Sequence, residues 1–113
     1  MPANSTVLIT STSHAANLDP ETITGDKVKG AGFYGMGNGL HTSQIQVTTF
    51  TGSVVIQASL AINPQEEDWF DVYEYATSSA TESVVNNFTG NFVWIRAVVT
   101  YTTGTINRVL LNY

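Results

Sequence analysis

The chain contains no cysteine, and that absence excludes disulfide scaffolds, thiolate zinc sites and cysteine nucleophiles together. Cations are almost as scarce. Four Lys and Arg stand against nine Asp and Glu, a net charge of −5, whereas a phosphate-binding surface needs clustered positive charge. Nucleic acid is therefore not an expected partner. No apolar run reaches the roughly 20 residues that a helix needs to cross a bilayer, so no membrane partner is expected either. The opening residues Met1-Pro2-Ala3-Asn4-Ser5-Thr6 carry neither a basic region nor an apolar core, unlike a secretion signal. Also missing are a G-x-S-x-G nucleophile turn, a Walker lysine and the Asp-x-Asp-x-Asp-Gly core of a calcium loop. No segment has the periodicity of an amphipathic helix of ten or more residues.

What remains is a β-forming palette. Charged residues make up only 12% of the 113, about half the usual soluble share, and Thr, Ser, Asn and Gly take their place. Phe50-Thr51-Gly52-Ser53-Val54-Val55 recurs, lightly edited, as Phe88-Thr89-Gly90-Asn91-Phe92-Val93, and each copy runs into an apolar, β-branched stretch. Glycine accepts the backbone angles of a tight turn, so each copy reads as a corner between two strands. Convergence of two hairpin corners and an internal duplication both account for the echo, and both lead to a sandwich.

The strands fall out in order. Residues 7–12 form a short β-like run; residues 13–20 read as a loop. Residues 21–28 alternate weakly, with Ile23 and Val28 inward and a bend at Gly25-Asp26. A strand is placed at 29–34, followed by a turn at Asn38-Gly39. Residues 41–50 put Ile45 and Val47 on one face, and residues 53–62 put Val54, Ile56, Ala58 and Leu60 in phase. Residues 63–68 are a polar connection. From Trp69 the alternation resumes, with Phe70, Val72 and Tyr75 inward and Asp71, Tyr73 and Glu74 outward. Residues 76–81 read as a loop and 82–87 as a short strand. Residues 91–101 form the longest apolar strand, and Thr102-Thr103-Gly104 a hairpin turn into the last strand, 105–113.

The expected fold is all-β: a single antiparallel β-sandwich domain over residues 1–113, jelly-roll-like, of about eight strands, with an extended N-terminal arm at about residues 1–20. Val54, Ile56, Ala58, Leu60, Trp94 and Val98 are the predicted core, and Trp94→Ala is expected to cost about 3–5 kcal/mol.

Each candidate site has a plainer reading beside it. Gly30, Gly32 and Gly35 match G-x-G-x-x-G formally, but a dinucleotide fingerprint needs a helix at its third glycine, and a strand packed closely against another backbone explains the glycines better. The acidic cluster of Glu66, Glu67, Asp68, Asp71 and Glu74 could hold Ca²⁺ yet matches no calcium loop; a solvated connection is the better reading. His14 and His41 lack a third ligand or a nucleophile turn, and read as a loop residue and a strand-start residue. Trp69, Trp94 and the phenylalanines are assigned to the core. Exposed aromatics bind sugars and anchor interfaces, which makes Tyr34, Tyr73 and Tyr75 the candidates for surface recognition. No catalytic residue, metal ligand or cofactor site is assigned, and no catalysis is expected.

One resemblance adds to this. Phe50-Thr51-Gly52, then Val55-Ile56-Gln57-Ala58-Ser59-Leu60, Pro64, Asp68-Trp69-Phe70, residues 88–97, and Gly104-Thr105-Ile106 with Val109 resemble small β-sandwich virion proteins of marine tailed phages, especially cyanophages. The likeness covers about residues 22–113, and the Gln-Ala-Ser-Leu and Asp-Trp-Phe blocks are its most specific parts. It implies a virion structural protein, a head decoration or a neck or tail accessory, assembled in the host cytoplasm. Other virion proteins would be its partners, and it would be a homo-oligomer. A carbohydrate-binding or host-adhesion module of a phage tail, with a glycan as partner, is the alternative.

Overall fold

β-Branched residues fill the apolar runs of this chain and favour a pleated backbone. In a computed structural model, which describes residues 6–14, 20–30, 32 and 39–112, nearly all of them are realised as antiparallel strands. The strands are β1 (Thr6–Ile9), β2 (Thr12–Ser13), β3 (Glu21–Thr24), β4 (Val28–Lys29), β5 (Leu40–Ser59), β6 (Phe70–Thr89) and β7 (Trp94–Asn112), with one 3-10 turn at Glu66–Asp68. Among the described residues there is no α-helix.

All seven strands share one hydrogen-bonded sheet. β5 lies between β6 and β7, and the four short strands line the far side of β7 in series: β4 against residues 94–95, β3 against 98–101, β2 against 105–106 and β1 against 109–111. A straight strand of about 20 residues would measure about 65 Å, yet the molecule is 43 × 33 × 18 Å. The long strands are therefore folded over, and the two halves of the sheet face each other across one core as a β-sandwich. The 18 Å thickness suits two layers spaced about 10 Å apart. Two contacts confirm the closure. Gly25, which pairs with the first half of β7, lies against the carbonyl of Leu8, whose strand pairs with the second half. The Tyr75 hydroxyl donates to the Glu82 carboxylate, seven residues along the same strand.

The crease is written into the side-chain phase. In β5 the buried apolar residues are Ile45 and Val47 before it and Phe50, Val54, Ile56 and Ala58 after it, a switch from odd to even positions. β7 switches between Tyr101 and Ile106, and back again at Asn107, and each switch coincides with a register shift against β5. One inserted residue turns every later side chain over, so the bulges keep the apolar face inward on both sides of the bend. At the crease Thr49 has φ 46°, Ser79 φ 52° and Gly104 φ 102°. A side chain at Gly104 would meet the carbonyl of Thr49 at 2.3 Å. Phe50 fills the inside of the bend, its ring stacked 6.5 Å from Tyr75 and 5.7 Å from Tyr101.

The anticipated sandwich is thus present, but several expectations change. Phe50-Thr51-Gly52 and Thr102-Thr103-Gly104 are bends inside single strands, and residues 76–81 are strand as well, because neighbouring strands continue to pair across all three. Only the second copy of the echo, at Phe88, ends a strand; its Gly90 N–H donates to Gly39. The glycine-rich stretch carries no phosphate cradle in its described part. Gly30 and Gly32 donate to Val93 and Phe92, where a Cβ would strike that backbone.

The core assignment for β7 is reversed. Ile95, Ala97, Val99 and Tyr101 are buried, while Trp94 and Val98 are half-buried on the outer face with Arg96 between them. Leu60 lies beyond the end of β5 and is 62% exposed. Tyr73 turns inward beside Ile56 because Val72 is a bulge residue, and Phe70 sits at the sheet margin, edge-on to Phe92.

Two substitutions read the reversed face directly. Ile95→Ala should cost about 2–5 kcal/mol and Val98→Ala about 1 kcal/mol or less in urea unfolding. The opposite order would mean that Val98 is the inward residue.

His41 is fully buried at the start of β5. Its Nδ1–H donates to the Gly39 carbonyl at 2.8 Å, and its ring stacks on Phe88 at 5.1 Å. Burial holds the imidazole below its ordinary value of 6.5, against a smaller opposing pull from the Gly39 bond. Because the folded value is depressed, the unfolded chain takes up the proton first as pH falls. The stability due to neutral His41 is complete above the unfolded value and drains away below it. The urea midpoint should therefore drop between about pH 7.5 and about pH 5, and His41→Phe should flatten that slope.

Candidate functional site

Register alone assembles a polar row on the outer face. Gln57 of β5 pairs with Arg96 of β7 on one side and with Asp71 of β6 on the other, and paired residues share a face. Arg96 Nε donates to Gln57 Oε1 at 2.8 Å, and Gln57 Nε2 donates to Asp71 Oδ1 at 3.0 Å. The amide thus passes orientation from the carboxylate to the guanidinium.

The connection between β5 and β6 folds over this row. Gln65 N–H donates to the Asp68 carboxylate at 2.7 Å and Asp68 N–H to the Gln65 carbonyl at 3.0 Å, which closes the 3-10 turn. Closure delivers two side chains to Arg96. Trp69 lies with its ring centroid 4.3 Å from the guanidinium carbon, and Glu66 Oε2 accepts from Arg96 Nη2 at 3.0 Å. Trp94 pins the far end of the connection, its indole N–H donating to the Ile62 carbonyl at 2.8 Å, while Lys27 Nζ stands 5.1 Å from the Trp94 ring.

Between residues 24–27 and residues 64–69 an open cleft of about 480 Å³ remains, with Arg96 at its base and Trp69 and Glu66 on one wall. Its volume is in the range of small-molecule sites. A half-buried indole beside oriented donors and acceptors suits a ligand with an apolar face and hydroxyl or charged edges. Three of the five acidic residues have separate tasks: Glu66 pairs with Arg96, Asp68 closes the turn and Asp71 holds Gln57. Among the described residues no three His, Asp or Glu side chains converge as a metal site requires.

The tyrosines singled out in the sequence are not brought together there. Tyr34 lies outside the described residues. Tyr73 is half-buried against the core, and Tyr75 is buried, its phenol pushed up to about 12 by burial first and by its bond to Glu82 second. Tyr75 presents no open ring, which corrects its reading as a recognition residue, whereas Tyr73 is only partly covered. The histidines are far apart in role. His41 is sealed in the core, and His14 packs edge-on to Tyr101 at 4.9 Å, with Nε2 3.9 Å from the Glu21 carboxylate. Trp69, assigned to the core, instead lines the cleft, and Trp94, also assigned to the core, is half-buried on the outer face. The available signal was Arg96, which alternates in phase with Trp94 and would have been buried alongside it.

No protein-family model matches this chain, and no curated protein does. Solved structures share its fold. PirA superposes with a TM-score of 0.55 at 12% identity, over 91% of this chain and 92% of that one. The K3 cleaved adhesin domain of Lys-gingipain from Porphyromonas gingivalis W83 does so with 0.53 at 9% identity, over 91% and 73%. A looser likeness, 0.44 at 12% identity over 100% and 93%, is to a family 29 carbohydrate binding module from Piromyces equi.

Proposed function

We propose that this chain is a non-catalytic binding module that recognises carbohydrate through the Trp69–Arg96 cleft. The observation that carries this reading is the cleft itself, where an indole stands beside a guanidinium oriented by the Asp71–Gln57 ladder. Sugar rings combine an apolar face with a hydroxyl rim, and an aromatic surface edged by fixed polar groups complements both. An adhesin domain shares the fold, and because one fold hosts many functions the binding role rests on the cleft and not on that likeness. The ligand must be found by experiment. On a glycan array at least one family of oligosaccharides should bind, and Trp69→Ala should weaken that binding about tenfold or more with the melting curve little changed. Array silence for the wild-type protein would overturn the proposal.

The likeness to virion proteins of marine tailed phages favours a setting for this module: a phage particle, where repeated copies add avidity to a weak single site. Head or tail placement and homo-oligomerisation belong to that reading. Mass spectrometry of purified particles should find the chain in the virion; its absence would remove the setting and leave the glycan reading standing.

A further inference from the structure

We infer that the cleft selects carbohydrates bearing a carboxylate, such as uronic acids, and that Glu66 is a built-in occupant which the ligand's carboxylate displaces; the inference rests on the glycan reading above. The first ground is where the cations are. The whole chain has four Lys and Arg, and three of them gather at this end of the outer face. Arg96 and Lys27 line the cleft, and Lys29 pairs in register with Trp94, hence on the same face. Asp26 and Glu66 line the same cleft, so its charges balance while Glu66 holds Arg96, and the lining turns positive when Glu66 swings away.

The second ground is the asymmetry of the Arg96–Glu66 pair. The Arg96 side chain is 13% exposed and held by Gln57 and Trp69, whereas the Glu66 side chain is 81% exposed and sits on a short turn. Arg96 is thus a fixed receptor and Glu66 a replaceable ligand. An exposed ion pair contributes little, because water and salt screen it and ordering its side chain opposes it. A carboxylate attached to a sugar stacked on the face of Trp69 that Arg96 does not cover meets the same guanidinium with its position largely set, and can be bound by two parallel N–H donors. The carboxylate of Asp71 does not compete, since it is engaged with Gln57.

The test uses one glucuronate-containing oligosaccharide and its carboxyl-reduced, neutral counterpart, titrated calorimetrically against the whole protein. The acidic form should bind about tenfold or more tightly than the neutral one, and Arg96→Gln should erase that preference. Glu66→Gln should tighten the acidic form by about two- to fivefold and leave the neutral form unchanged, a gain that misfolding cannot produce. Equal binding of the two forms, or a Glu66→Gln gain shared by both, would overturn the inference with the glycan reading intact. Failure of both forms together with a silent array would overturn both.

Discussion

Phe50, held between Tyr75 and Tyr101, is the contact on which the architecture turns. Three strands of 20, 20 and 19 residues must bend at the same level, or the ladder between them would tear. The bend is stable only if its concave side is filled, and three aromatic rings fill it. Its convex side needs backbone where side chains would collide, which is why β5 and β7 approach each other at Gly52 and Gly104. Phe50 thus joins two layers that would otherwise be one sheet, wet on both faces and without a core.

Much of this was readable from alternation. The phases of residues 45–47 and 54–58 were legible because Gln46 and Gln57 stand at intervening positions, and the two phases sit on opposite sides of the bulge that separates them. Whether the chain turns back or merely bends at Phe50-Thr51-Gly52 was not legible. A hairpin and a bulge demand the same local residues, and only the pairing partners, distant in sequence, decide between them. The reversal in β7 has a different cause. Residues 92–99 are apolar on both faces, so alternation has two solutions, and Arg96 was the one residue able to choose.

The cleft was illegible for the same reason. Its row of Asp71, Gln57 and Arg96 comes from three strands and exists only through register, and Trp69 on its wall and Trp94 on the outer face look like core residues to any reading that counts apolar side chains. Their half-burial follows from cation–π contact: Arg96 and Lys27 lie over the rings, which shields the indoles without placing them in the interior.

The four short strands along β7 form, in effect, one edge strand broken into pieces. The break between β3 and β4 has a consequence for the cleft, because residues 25–27, which separate those strands, form its wall opposite Glu66. Continuous pairing there would draw that wall flat against β7 and erase the hollow. The site is therefore a missing rung: the same interruption that weakens the edge makes room for a ligand, and a ligand lodged there would bridge the 24–27 and 64–69 segments and lock the edge in place.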